Sequence, residues 1–538
     1  MEMKRYTHLD HPSKMLTSRQ ALFWTLILGL VFMGSVVWAH SDRKHDGLAK
    51  TSKERVPHEG GHAIAGAGGF ALGETVYKHM CVFCHGVDGN GGGKATAYLY
   101  PWPRDFRKGI FKHRTTPPGS IPLDKDIFRT IQAGVPGTAM PGWENALSDE
   151  ETWSVVEYIK GFSERFKNET ARPAIDLGTV PPVTTELIAI GEKLYREMRC
   201  QGCHGTDLKG EGPQAENLFD IWDHRVFVYD LTNPNTYKFG YERNDIFTTL
   251  TTGIEGTPMK NYGHLTDKER WEITTFVHSK IEMNRVKKSG YEIDLYSTKI
   301  NDEFVLDPYH KLWENIPEKV VKLLPLNARK LPISHIKIRS ALNDDAVAFR
   351  LEWEDPVPDR SSSRHQDFKD AVAVEFALGD VLLHTHGHNE PFFGMGNRGK
   401  VVNIWQWRAD WQTEIETKEK IEYATKGMDL DAMIFGGEVN PVDALNPFRD
   451  VPVEEMNAEG FGTLTPQPST KQNVLGKGVW KDGSWSVVLY RTLESLNKWD
   501  KRFTNDQEIL MAFAIWDGSE QDRNGRKVVS MWQRLHLP

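Results

Sequence analysis

Cys81-Val82-Phe83-Cys84-His85 and Cys200-Gln201-Gly202-Cys203-His204 are one five-residue phrase written twice, and together they use all four cysteines of the 538-residue chain. Two thiols at this spacing add across the vinyl groups of a haem, and the histidine that follows reaches the iron from one side. The opposite face needs a second ligand, and a methionine thioether suits ferrous iron and raises the potential. Met140 follows His85 by 55 residues and Met259 follows His204 by the same 55. Each sits in a matching phrase, Gly137-Thr138-Ala139-Met140-Pro141 and Gly256-Thr257-Pro258-Met259-Lys260. A dithiol redox pair or a zinc site accounts for the cysteines, but neither requires the adjacent histidine or the matched methionine. The expectation is two covalent haems, on Cys81 and Cys84 and on Cys200 and Cys203. Their irons are expected to be held by His85 with Met140 and by His204 with Met259.

The duplication extends past these residues. Gly73-Glu74-x-x-Tyr77 recurs as Gly191-Glu192-x-x-Tyr195, Asp126-Ile127-Phe128 as Asp245-Ile246-Phe247, and Leu147 through Trp153 as Leu265 through Trp271. Ser148 with Glu151, and Thr266 with Glu269, read as capping boxes that open amphipathic helices over 148–163 and 266–282. The whole of 67–285 resembles class I cytochromes c. The resemblance implies that first and last helices cross and that the methionine loop covers the far face of each haem. Two all-α domains are expected, 67–170 and 183–286, joined by the proline-bearing stretch from Arg172 to Pro182.

Upstream, Ala21–Ala39 carries no charge and follows Lys4, Arg5, Lys14 and Arg19. That pattern predicts a transmembrane anchor with the N-terminus in the cytoplasm, a cleaved signal being the alternative. Residues 1–40 are so assigned, and 41–66, with His45, His58 and His62, are expected to be a polar linker. The chain is then membrane-anchored by one N-terminal helix, with its bulk in the periplasm. Charged residues make up 26% of the chain and the net charge is −8, which gives no electrostatic case for nucleic acid.

From about residue 295 the helical period gives way to short alternating strands, 335–339, 346–353, 371–376, 486–490 and 512–516, with Asp482-Gly483 and Asp517-Gly518 as hairpin turns. An all-β sandwich over 295–538 follows. The expected fold class is therefore multidomain: an N-terminal transmembrane helix, two class I cytochrome c domains and a C-terminal β-sandwich.

Particular phrases say more. They are Pro391-Phe-Phe-Gly-Met395-Gly396, Val402-Asn-Ile-Trp405-Gln-Trp407, Gly478-Val-Trp480 through Arg491, Phe513-Ala-Ile-Trp-Asp-Gly518, and Asn524-Gly-Arg-Lys527 through Trp532. Over 325–538 these are similar to the haem b-binding gamma subunit of type II dimethyl-sulfoxide-reductase-family molybdoenzymes, the group of ethylbenzene dehydrogenase and nitrite oxidoreductase. The resemblance implies a non-covalent haem b held by a methionine, here Met395, and a lysine, here Lys527 or alternatively Lys477. Such a lysine must be neutral to donate its lone pair. His384, His386 and His388 nearby read as a surface loop or a metal site. The resemblance also implies partners: a molybdopterin catalytic subunit, an iron–sulfur subunit, and a soluble cytochrome c or the respiratory chain as the other electron-transfer partner. No nucleophile or general base is evident, so a relay without substrate turnover of its own is expected. The alternatives are a diheme cytochrome with a haem-free, carbohydrate-binding-like or redox-sensing sandwich, and a diheme peroxidase, against which the paired methionines argue.

Overall fold

The computed structural model describes residues 67–285, 293–329, 332–361, 364, 366–379, 381, 390–417, 451–495 and 497–538. In the first repeat, helix α1 (Ala67–Val76) runs through a π turn (Tyr77–Cys81) into α2 (Val82–His85), so the haem motif sits on a continuous helical path. Then come α3 (Asp124–Ala133), α4 (Asp149–Lys160) and the short α5 (Glu164–Asn168). The second repeat is built from α6 (Thr185–Glu197), α7 (Gln201–His204), α8 (Arg243–Thr252) and α9 (Asp267–Ser279). Here α6 ends before the motif, and Arg199 turns the chain with a left-handed φ of 58°.

Both closing helices start on reciprocal caps. The Glu151 N–H donates to Ser148 Oγ at 3.2 Å and the Ser148 N–H to Glu151 Oε2 at 2.8 Å; the Thr266–Glu269 pair repeats this at 3.3 and 2.8 Å. Each such cap stabilises its helix by about 1 kcal/mol. First and last helices cross at glycine in both repeats. A Cβ on Gly73 would lie 2.0 Å from the Ser154 carbonyl oxygen, and one on Gly191 2.0 Å from that of Glu272.

The strands follow as β1 (Asp294–Tyr296), β2 (Thr298–Lys299), β3 (Lys319–Lys322), β4 (Leu324–Pro325), β5 (His335–Leu342), β6 (Ala346–Glu354), β7 (Ala371–Ala377), β8 (Val402–Arg408), β9 (Val453–Ala458), β10 (Thr465–Pro466), β11 (Leu475–Lys481), β12 (Ser484–Thr492), β13 (Glu508–Trp516), β14 (Val528–Val529) and β15 (Gln533–His536); α10 (Ala409–Thr417) follows β8. One sheet runs β1-β15-β13-β7-β8-β9-β10, with β14 on β13 and β4 on β14; the other runs β11-β12-β6-β5-β2, with β3 on β5. Their facing sides share one core, in which Trp353, Trp405, Trp407 and Trp485 join Val372, Val374 and Phe376. Period-two alternation sends the other side chains of β7 outward, and that outer face is where the sandwich departs from a plain packing module.

Two expectations change. No helix among the described residues is long and apolar enough to cross a membrane, and Ala21–Ala39 lies outside those residues. The transmembrane helix is therefore withdrawn from the fold class, and with it the membrane-anchored localisation and the membrane as a partner. The linker 41–66 and His384, His386 and His388 also lie outside the described residues. The second change is local. Asp482 and Gly483 do make the two-residue turn between β11 and β12, with φ of 52° and 78°, the left-handed pair a type I′ turn needs. Asp517 instead caps a 3-10 turn, its Oδ1 accepting the Ser519 N–H at 2.9 Å, because its carboxylate offers that backbone a better partner than a hairpin would.

The first repeat is stitched to the sandwich through its backbone. Tyr100 N–H donates to Leu326 O at 2.8 Å, Ala328 N–H to Tyr100 O at 2.6 Å, and Leu326 N–H to Lys527 O at 3.0 Å. The second repeat docks on the first through three ion pairs, Arg129–Asp245 at 2.8 Å, Arg114–Glu255 at 2.7 Å and Lys112–Asp220 at 3.2 Å.

Candidate functional site

The four cysteines are free thiols. Burial pushes Cys81 and Cys84 up to about 12 and Cys200 up to about 11. Tyr77 Oη donates to Gly86 O at 2.8 Å and Tyr195 Oη to Gly205 O at 2.8 Å, fixing the turn after each motif in the same way. His85 and His204 are both pulled down to about 4, chiefly by burial, and are neutral imidazoles near pH 7, the form that binds a metal.

The rings differ in one respect. His85 Nδ1 lies 3.1 Å from the Arg104 carbonyl, so Nδ1 carries the proton and Nε2 keeps its lone pair; Phe106 stacks on this ring at 4.5 Å. His204 Nδ1 is shut from solvent without a hydrogen-bond partner. Met140 packs against the first core, as do Met80 and Cys81, and Met259 against the second, as do Met198 and Cys200. Their phrases also share a fold: Thr138 Oγ1 and Thr257 Oγ1 each accept the N–H of the methionine two residues on, at 3.2 Å in both.

A knot of cations lies where the repeats meet. The Arg104 guanidinium lies 4.5 Å over the Trp222 ring, Lys112 pairs with Asp220, and Lys238 Nζ donates to Tyr229 Oη at 3.2 Å. Burial pulls Arg104 to about 10, Lys112 and Lys238 to about 8, and His113 to about 3. No described carboxylate offsets the burial of Lys238. A haem brings two propionate carboxylates, and this surplus of buried positive charge fits them.

The outer face of the larger sheet is paved with small residues. Ala373 and Ala377 on β7, Ala512 and Ala514 on β13 and Ala458 on β9 form one apolar cluster with Trp532, against which Phe393, Met395 and Trp516 pack. One cross-strand row reads Ala512, Glu375, Ile404, Met456. The alanines leave shallow ground between the larger Val402, Ile404, Met456 and Leu510, which suits a planar group. Met395 holds a left-handed φ of 83°, a conformation uncommon for a residue with a side chain. It is fixed by its N–H donating to Glu375 Oε2 at 3.2 Å and its carbonyl accepting the Gly460 N–H at 2.8 Å. Lys527 Nζ lies 4.7 Å over the Trp516 ring. Burial pulls its pKa down while Glu375 opposes the fall, and burial pushes Glu375 up to about 8. Glu375 Oε1 has no hydrogen-bond partner. The Met395 N–H and the charge of Lys527 thus both act on the Glu375 carboxyl. Lys477 does not come near them: it is exposed on β11, the edge strand of the other sheet.

Between this face and the first haem motif there is direct contact. Phe83, inside Cys81-x-x-Cys84, stacks on Phe392 with ring centres 4.5 Å apart, and Phe392 precedes Met395 by three residues. A cavity of about 200 Å³ opens beside the stack, lined by Met80, Trp143, Phe393 and Trp532 among others. Sequence reading passed over Glu375, Arg104 and Phe392. For Glu375 a signal existed: an acid in Ala371-Val-Ala-Val-Glu-Phe-Ala377 falls on the alanine side of the alternation, where neither core packing nor solvation explains it.

Residues 310–528 match the ethylbenzene dehydrogenase family, 69–159 the subunit III family of cbb3-type cytochrome c oxidase, and 188–280 the cytochrome c family. A haem subunit assigned to respiratory nitrate reductase in Haloferax mediterranei is 28% identical over 237 residues, 43% of this chain and 67% of the relative. The gamma subunit of Ideonella dechloratans chlorate reductase is 27% identical over 43% of this chain and 79% of its own length. The gamma subunit of dimethylsulfide dehydrogenase from Rhodovulum sulfidophilum is 26% identical, over 42% and 72%. Cytochrome c domains carry covalent haem c and gamma subunits of this kind bind haem b. The chain is accordingly a gamma-subunit-like electron-transfer cytochrome, its ethylbenzene dehydrogenase domain preceded by two cytochrome c domains.

Proposed function

We propose that this chain relays electrons between a molybdenum and iron–sulfur oxidoreductase of the nitrite oxidoreductase or nitrate reductase type and a cytochrome c or the respiratory chain. When bound, the haems supply the one-electron chemistry; the polypeptide supplies attachment, ligands, burial and spacing. Met395 and Lys527 are assigned as the two ligands of haem b. Cys81, Cys84, His85 and Met140 are assigned to the first haem c, and Cys200, Cys203, His204 and Met259 to the second. The carrying observation is that the Met395 N–H and the charge of Lys527 both act on Glu375 on the outer sheet face, one aromatic stack away from Phe83. Burial lowers the Lys527 pKa and so favours the neutral amine that a metal requires. The Phe83–Phe392 stack supports a relay that runs from the sandwich through the first cytochrome c domain to the second.

The domain limits 67–170, 183–286 and 295–538 belong to the same reading. The test is haem content of the purified full chain by pyridine haemochrome and by acid-acetone extraction. Two covalent haems and one extractable haem b are expected. Met395→Ala and Lys527→Ala should each lose the extractable haem while keeping both covalent ones, and Lys477→Ala should keep all three. Equal loss of all haems in Met395→Ala, or no extractable haem in the parent chain, overturns the assignment.

A further inference from the structure

The two methionine loops share a backbone and differ in what stiffens them. Val135 N–H donates to Met140 O at 3.0 Å, and Ile254 N–H to Met259 O at 3.1 Å. Each bond ties the start of its loop to the methionine, so a push on one moves the other. The first loop reads Val135-Pro136-Gly137-Thr138-Ala139-Met140-Pro141, and the second Ile254-Glu255-Gly256-Thr257-Pro258-Met259-Lys260. Pro136 and Pro141 restrict the first, because a proline ring fixes its own φ. In the second, Glu255 and Lys260 stand at those two places.

Glu255 is held from outside its own domain. Its Oε2 lies 2.7 Å from Nη2 of Arg114, a first-domain residue only 1% exposed. The contact is an ion pair without the alignment of a hydrogen bond. A guanidinium this deep is costly to bury unless a carboxylate faces it. Asp126 already has both oxygens engaged: Oδ1 accepts the Thr115 hydroxyl at 2.9 Å, and Oδ2 the N–H groups of Thr115 and Leu123, both at 3.0 Å. Those bonds also fix the backbone beside Arg114, so its side chain extends from a rigid base. A second support meets the same loop. Ile221 N–H donates to Gly256 O at 2.9 Å, and a Cβ on Gly256 would lie 2.8 Å from the Trp222 ring, which carries the Arg104 guanidinium of the first domain at 4.5 Å. At Gly137 the matching neighbour is the Tyr229 ring, 3.7 Å from a Cβ built there, an ordinary contact with no charge in it.

We propose that Arg114 of the first domain is a positioning residue for the second haem, holding the Met259 loop in place through Glu255, a role that rests on the assignment of Met259 to that iron. Ligation of the second haem then depends on docking of the two domains. The first haem, whose loop carries its own prolines, has no such dependence on Glu255.

Glu255→Gln keeps the size of a partly buried side chain and removes its charge. The oxidised full chain, parent and variant, is titrated with imidazole, which displaces an axial methionine, and followed by loss of the far-red methionine-to-iron band. The second haem should exchange at an imidazole concentration at least about fivefold lower in the variant, as loss of a charged contact predicts. The Cys200→Ser, Cys203→Ser chain keeps only the first haem, and there Glu255→Gln should shift nothing. Arg114→Gln should match Glu255→Gln, and the double variant should add nothing to either, as expected of one coupled pair. Glu255→Gln carries the test alone where loss of the buried guanidinium prevents folding. Exchange that Glu255→Gln leaves unchanged overturns the proposal, as do equal shifts at both haems or additive effects of the two single variants. Met259→Ala that leaves the second haem's share of the band intact overturns the ligand assignment itself, and the brace with it.

Discussion

The two cytochrome c domains share a skeleton down to single contacts, yet they treat their histidines differently. Gly73 and Gly191 make the same helix crossing, and Tyr77 and Tyr195 the same bond across nine and ten residues of chain. His85, however, leans on the Arg104 carbonyl, and His204 leans on nothing. The second domain also differs by a loop. Phe219 and Arg225 bridge a local excursion in the second domain, and this excursion carries Trp222 and Asp220 onto Arg104 and Lys112 of the first. Chain length was spent on docking there. Duplication therefore preserved what builds the haem pocket and varied what tunes and connects it.

The strongest way to break the equivalence is to remove one haem at a time. With Cys81→Ser and Cys84→Ser, the second haem should no longer be reducible from the sandwich side; with Cys200→Ser and Cys203→Ser, the first should remain so. Stopped-flow reduction followed at the two haem bands reads the difference, and symmetric behaviour would contradict the order of the relay. Next in size, Gly73→Ala and Gly191→Ala should each lower stability by about 1–3 kcal/mol, since a methyl group is forced onto a backbone oxygen. Thermal melts should show equal losses if the crossings are as alike as they look.

A smaller effect separates the histidines. A hydrogen bond on Nδ1 raises ligand basicity and favours ferric iron. The His85 haem should therefore lie below the His204 haem by roughly 20–60 mV, the equivalent of a ~0.5–1.5 kcal/mol bond. Spectroelectrochemical titration of the two domains checks this, and the reverse order would show that the surroundings outweigh the bond. Smallest is the docking pair. Arg129→Ala, at a half-exposed ion pair, should cost about 0.2–1 kcal/mol and should shift the melting of the second domain less as salt is raised.

What could be read from sequence follows from how local each feature is. Covalent haem attachment needs contiguous residues, so Cys81 to His85 and Cys200 to His204 spell it out, and the capping boxes at Ser148 and Thr266 are equally local. The outer sheet face around Met395 is not local. Ala512, Glu375 and Ile404 become neighbours only through strand register, which the alternation of a single strand cannot supply. Lys477 remained an alternative to Lys527 because sequence does not say which sheet a lysine lies on. The docking of the two repeats was hidden for the same reason, since Arg104 and Trp222 lie on loops that have no period to read.

Tyr100 holds hands, backbone to backbone, with Leu326, and Leu326 with Lys527. The first haem-bearing domain is thereby part of the sandwich's own hydrogen-bonded fabric rather than a weight on a string. Passage of charge from one to the other involves no diffusive search, and its rate should stay the same when the solvent is thickened with glycerol.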